Sequence, residues 1–219
     1  MLTTIASFSQ IARDLDRSLE TTSQQPAVAR ETAYYLENIT KVKSAEEFIE
    51  DDRLFNYAMT AHGLGEMSYA KAFMRKVLDE GVDANDSFAN GLADRRYRDF
   101  AETFNFARYG ETATAFSRTQ QGTADLYVRQ TMEIDAGNEN EGVRLALYFQ
   151  RKAPELNSVY SILADRALLE VVQTALSIPP EASFQNIDRQ AEEIAKRLDL
   201  EDFKDPEKLG RFLQPVSYT

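Results

Sequence analysis

The sequence predicts an all-α protein, a multi-helix bundle carrying a weak internal duplication. Apolar residues recur three and four positions apart through most of the 219 residues, the period of one helix face. Val/Ile-rich alternating stretches joined by hairpin turns are missing, which removes the usual strand signal. One stretch is also written twice: residues 48–64 read FIEDDRLFNYAMTAHGL and residues 162–178 read ILADRALLEVVQTALSI. Without a gap, Asp51 aligns with Asp165, Leu54 with Leu168, Thr60 with Thr174 and Ala61 with Ala175, and the apolar pairs share that register. Such a match points to two related helical units.

Taken in order, Ile5, Phe8, Ala12, Leu15 and Leu19 form a heptad-like stripe on a helix expected to end between Ser23 and Pro26, since proline disfavours helical backbone in the residue before it. Residues 27–39 read as a second helix. Ser44 followed by Glu47 is a capping box opening a helix that runs to the stop signal His62-Gly63. Residues 68–80 follow, ended by Gly81, and then 94–106, where Tyr97, Phe100, Ala101 and Phe104 mark a core face. The Thr/Ser/Gln-rich stretch 110–122 reads as a loop between halves. Beyond it come a helix over 123–135, a turn at AGNENEG (136–142), and helices over 143–152, 159–177, 186–198 and 206–213, separated by Pro154, Pro179-Pro180 and Pro206. The match between halves continues weakly, pairing Ser68-Tyr69 with Ser183-Phe184. The organisation expected is therefore an N-terminal heptad-like helix (1–26), a first helical unit (27–110), a polar connector (111–122) and a second helical unit (123–219), all within one compact fold.

Composition narrows the functions. Apolar content of 43% with 28% charged residues is that of a folded chain. A net charge of −11 disfavours nucleic acid and anionic membranes as partners. Without cysteine, disulfides, thiolate catalysis and Cys-based zinc sites are excluded. No stretch approaches the roughly 18 apolar residues of a membrane helix, and MLTTIASFSQIARDL lacks the basic and apolar regions of a cleaved signal. The expectation is a cytoplasmic protein with no membrane insertion, or alternatively one exported through a flagellar-type apparatus without a cleaved signal.

The residues that could carry chemistry read better as structure. His62 is the only histidine and stands where an imidazolium favours a helix C-terminus. The acids Glu46, Glu47, Glu50, Asp51 and Asp52 lie at a helix start, where carboxylates are favoured anyway. Asp83, Asn85 and Ser87 alternate like calcium donors, but Phe88 stands where the loop needs glycine. The run from Asp94 to Asp99 mixes arginines with Tyr97, and its flanking acids argue against a nucleic-acid site. No phosphate loop, dinucleotide fingerprint or nucleophile elbow is present. No catalytic residue, metal ligand or cofactor is assigned.

Residues 30–81, RETAYYLENITKVKSAEEFIEDDRLFNYAMTAHGLGEMSYAKAFMRKVLDEG, and 87–106, SFANGLADRRYRDFAETFNF, resemble an alphaproteobacterial family catalogued as domain of unknown function 1217. The closing DRALLEVVQTAL and KRLDLEDFKDPEKLGRFLQ resemble that family's second part. The resemblance implies an all-helical fold, repeated domain copies in some members, and members encoded among flagellar genes; it brings no catalytic residues. The function expected is non-enzymatic, through protein–protein contacts or self-association and associated with the flagellum, with Ile5, Phe8, Leu15 and Leu19 as the interaction stripe. The alternatives are a small-molecule-binding or regulatory domain and a carboxylate-based enzyme. Asp205-Pro206 and Pro215 interrupt the long terminal helix that flagellar rod proteins pair with such a stripe.

Overall fold

A computed structural model describes residues 4–214, with side chains from residue 7 onward. In chain order the α-helices are α1 (Thr4–Arg13), α2 (Leu15–Ser23), α3 (Pro26–Asn38), α4 (Ala45–Glu50), α5 (Asp52–Ala61), α6 (Lys71–Glu80), α7 (Arg95–Thr103), α8 (Phe106–Tyr109), α9 (Gln121–Glu139), α10 (Glu141–Lys152), α11 (Val159–Leu163), α12 (Arg166–Ala175), α13 (Ile187–Ala195) and α14 (Pro206–Leu213). Short 3-10 turns occupy most connections, and no strand occurs among the described residues. The all-α expectation holds.

Two compact units divide the chain. One is residues 16–132, and the other joins the residues up to Leu15 to those from Glu133 onward. The division falls inside α9, so it differs from the expected connector at 111–122. That stretch belongs to the core of the 16–132 unit: Ala113, Thr114 and Thr119 are buried in 3-10 turns. Its buried hydroxyls are satisfied by carbonyls, Thr114 Oγ1 donating to Val42 O at 2.9 Å and Thr119 Oγ1 to Phe116 O at 2.8 Å. Hydroxyl-rich composition mimics a solvated loop wherever the backbone, and not water, takes up the polar groups.

Four helices are also broken or extended relative to the sequence reading. The N-terminal helix stops at Arg13 and resumes at Leu15, with α1 packed on α10 in its own unit and α2 belonging almost wholly to the other. The expected turn at 136–142 is absent, because α9 continues to Glu139 and Asn140 then caps α10, accepting from Gly142 N and Val143 N. Gly137 fits there because Arg144 crosses it: a Cβ would lie 2.7 Å from Arg144 Cδ. The long helices expected over 44–62 and 159–177 are each split at an aspartate.

Those splits reveal how far the duplication runs. Ser44 and Ser158 are N-caps of α4 and α11, and Asp51 and Asp165 are N-caps of α5 and α12, each pair 114 positions apart. Asp51 Oδ1 accepts from Arg53 N and Leu54 N at 3.1 and 3.0 Å, and Asp165 Oδ1 from Ala167 N and Leu168 N at 2.9 and 3.2 Å. Tyr34 donates to Asp51 Oδ2 at 3.3 Å, and Tyr148, at the same offset, to Asp165 Oδ2 at 2.6 Å. The helices close alike: Gly63 and Ser177 both adopt positive φ, 70° and 52°, a left-handed end that frees the following N–H to reach back into the last turn. Leu64 N accordingly bonds Met59 O, and Ile178 N bonds Gln173 O. Each unit thus contains the same motif, from the tyrosine-bearing helix through the capped pair to the left-handed stop.

The cores differ in filling. In the 16–132 unit Phe48 is ringed by Phe55, Phe100, Phe104 and Phe106 at centroid distances of 4.7–6.3 Å, and Tyr35, Tyr57 and Tyr127 stack at 4.3 and 3.8 Å. The other unit is mainly aliphatic, with Phe149, Phe203 and Phe212 clustered at 5.0–5.5 Å.

Candidate functional site

The four stripe residues fall on two helices, α1 and α2. Phe8 is buried on α1, Leu15 and Leu19 are half-buried on α2, and the side chain of Ile5 lies outside the described residues. Because α1 packs on α10, Phe8 serves the core of its own unit.

The other sequence candidates occupy structural positions. His62 ends α5 with its ring edge-on to Phe100 and Phe104, at 5.2 and 5.9 Å. Glu47 Oε2 accepts from Lys43 N at 2.8 Å while Ser44 Oγ accepts from Glu47 N, a capping box displaced by one residue toward the N-terminus. Glu46 pairs with Arg75 at 3.0 Å and Asp52 with Lys71 at 2.5 Å. In the calcium-like loop, Asn90 Nδ2 donates to Val82 O and Ala84 O, and Glu80 accepts from Phe88 N, so side-chain amide and carboxylate close the loop. Asp94 caps α7 and grips Arg96, whose guanidinium also donates to Gly63 O; the arginine hydrogen bonds help hold the Asp94 carboxyl below its ordinary pKa, against the opposing effect of burial. No group of three or more His, Asp or Glu among the described residues could hold a metal ion. Among the described residues no helix is long and apolar enough to cross a membrane.

Sequence reasoning missed the buried ion pair Glu133–Arg151 in the composite unit. Both guanidinium contacts are short, 2.9 and 2.8 Å, and Glu133 is 1% exposed. The two residues are 18 positions apart on different helices, which helical periodicity cannot connect.

Two features face outward in the composite unit. The first is a cleft of about 260 Å³ between the 3-10 turn Leu200–Lys204 and α14, floored by Phe203 and Phe212 and rimmed by Arg197, Asp199, Asp202, Lys208 and Arg211. Its acids are already engaged: Asp199 caps the turn at Glu201 N, and Asp202 takes Lys208 Nζ at 2.5 Å.

The second is a group of exposed apolar side chains: Phe184 (91% exposed), Ile187 (53%) and Tyr160 (49%). Phe184 closes the 3-10 turn Pro180–Phe184, and the backbone there is clamped from both sides. Gln190 of α13 donates to Ser183 O and Gln185 O, at 3.2 and 2.7 Å, and Gln173 of α12 donates to Ser183 Oγ at 2.8 Å. Tyr160 Oη donates to Asp188 at 2.8 Å, holding the start of α11 beside the start of α13. In the 16–132 unit, the residue aligned with Phe184 in the sequence match is Tyr69, which is 80% exposed. Both units therefore display an aromatic ring in the connection that follows the left-handed helix end, at positions 115 apart and so one residue out of the 114-residue register of the motif.

Comparison with known proteins places the chain. Protein AGR_C_984 from Agrobacterium tumefaciens, known from its X-ray crystal structure, is similar to it with a TM-score of 0.90 and 45% identity, covering 99% of this chain and 94% of that one. No curated protein matches. A family model described as "Protein of unknown function (DUF1217)" matches residues 61–209, in agreement with the resemblance carried by residues 30–106. The chain belongs to the DUF1217 family.

Proposed function

We propose that this protein is non-enzymatic and acts through contacts with a protein partner, made by the rigidly displayed aromatic side chains of its repeated motif. The observation that supports the reading is the exposure of Phe184 and Tyr69 in the same connection of the two units. Leaving one large apolar side chain in water is commonplace; leaving one exposed in the same connection of both units, with the segment around Phe184 held by Gln173 and Gln190, is what a contact residue requires. The engagement of the acids near α4, α5 and the cleft in caps and ion pairs favours structural roles for them over proton transfer. The flagellar link implied by the family resemblance makes flagellar components the place to seek the partner.

The test is complementation of a deletion strain. Tyr69→Ser with Phe184→Ser is expected to yield a folded protein at normal abundance that fails to restore swimming. Full restoration would remove these side chains from the function, and normal swimming by the deletion strain would remove the flagellar part. A second reading, small-molecule binding, rests on the 260 Å³ cleft; its size is below the ~300–1,000 Å³ usual for ligand pockets, and its cations Arg197 and Lys208 are paired with Glu193 and Asp202.

A further inference from the structure

The surface around Phe184 also says what kind of partner fits it. The void lined by Leu169, Gln173, Ile178, Ala182, Gln190, Glu193 and Ile194 holds only about 10 Å³, too little for a ligand. Phe184, Ile187 and Tyr160 instead stand exposed as an apolar patch, on the turn before α13, on α13 itself and on α11, which packs against α13. Its margin is acidic: between residues 180 and 193 stand Glu181, Asp188, Glu192 and Glu193, against Arg189 alone. Glu193 is bound to Arg197 at 3.0 Å and Glu192 lies 3.9 Å from Lys196, which leaves Glu181 and Asp188 flanking the apolar residues without a cationic ion-pair partner among the described residues. A second copy of the chain would bring the same acidic margin and a further net charge of −11 against it. Anionic nucleic acid and lipid are disfavoured for the same reason.

Resting on the protein-contact reading above, we infer that this face binds a basic amphipathic helix of another protein. The helix lays apolar residues spaced three and four apart over Phe184, Ile187 and Tyr160, with lysines or arginines meeting Glu181 and Asp188. Recognition of an amphipathic helix by such a patch takes its affinity from a few buried anchors and its partner choice from the charged rim.

The experiment uses the full chain and two synthetic 18-residue peptides with leucine at helical a, d and e positions, one with lysine elsewhere and one with glutamate. Fluorescence anisotropy is expected to show binding of the lysine peptide and none of the glutamate peptide. Phe184→Ser with Ile187→Ser, both exposed and so tolerated by the fold, should weaken the lysine peptide by about 10-fold or more. Glu181→Gln with Asp188→Asn should leave binding measurable at low salt but flatten its dependence on ionic strength, and an unchanged salt dependence would overturn the charged rim. Lysine-peptide binding that is unchanged in the Phe184/Ile187 variant overturns the site. Equal binding of both peptides through Phe184 and Ile187 overturns the basic partner while leaving the protein-contact reading standing. No binding of either peptide overturns the inference, and complementation by the Tyr69/Phe184 variant would separately overturn the reading beneath it.

Discussion

Replacing Asp165 by alanine tests the capped-pair motif where its geometry is tightest. Asp165 Oδ1 accepts from two backbone N–H groups at the start of α12, at 2.9 and 3.2 Å; loss of an N-cap costs about 1 kcal/mol. Its Oδ2 takes the Tyr148 hydroxyl at 2.6 Å in a part-buried position, and a hydrogen bond to a charged group contributes about 1.5 kcal/mol. Asp165→Ala should therefore destabilise by about 2.5 kcal/mol, summing cap and hydroxyl contributions. The equivalent Asp51→Ala should cost closer to about 1.5 kcal/mol, since the Tyr34 hydroxyl stands off at 3.3 Å and contributes less. Asp165→Asn keeps a capping oxygen and should lose less than alanine. Urea unfolding followed by far-ultraviolet circular dichroism and tyrosine fluorescence, the chain having no tryptophan, gives these values. A double-mutant cycle with Tyr148→Phe should return a coupling of about 1 kcal/mol. A cost below about 0.5 kcal/mol for Asp165→Ala, or zero coupling to Tyr148, would refute the reasoning, because neither cap nor hydroxyl bond would then contribute as its geometry implies.

Arg151→Met removes the guanidinium that meets the buried Glu133 at 2.8 Å and should cost up to about 3–5 kcal/mol, whereas Arg151→Met with Glu133→Leu should recover most of that loss, since an apolar pair avoids the desolvation of both charges; urea midpoints of the two variants against the unaltered chain decide it. Ser177→Gly relieves a side chain at φ 52° and should raise stability by up to about 1 kcal/mol, while Gly63→Ser at φ 70° should lower it by about 1 kcal/mol, both read from thermal midpoints. Burial raises the pKa of Tyr35 and Tyr57 well above the ordinary phenol value. In the unfolded chain these phenols ionise near pH ~10, so their contribution is fully present below that and is lost as pH rises beyond it, at up to about 1.4 kcal/mol per pH unit for each. Absorbance at alkaline pH should show Tyr35 and Tyr57 ionising only on unfolding; their ionisation while the chain is still folded would contradict this.

How much of the structure was legible can be traced residue by residue. Ser44 announced the start of its helix and Pro26 the end of the one before it, because caps and prolines act locally, within three positions of themselves. Asp51 and Asp165 were recognised as a matched pair and as helix-start acids, but not as breaks, because the apolar periodicity runs across them without interruption. Thr114 and Thr119 were misread because a hydroxyl's partner is invisible in sequence: the same residues solvate a loop or, as here, bond to backbone inside a core. Gly137 read as a turn signal, while its reason is the close crossing of Arg144. The N-terminal stripe was real as a pattern, and its periodicity could not say whether Phe8 faces a partner or its own α10. Phe184 shows the converse: it was aligned with Tyr69 in the sequence, yet only its surroundings reveal that both rings point to solvent.

The central claim is that residues around Phe184, and not the cleft beside α14, meet the partner. Hydrogen exchange of the full chain with and without the lysine–leucine peptide tests it most directly. The account predicts new protection confined to residues 159–163 and 180–190, absent in the Phe184→Ser, Ile187→Ser variant. Protection centred instead on residues 197–212, or protection that survives the substitutions, would contradict it.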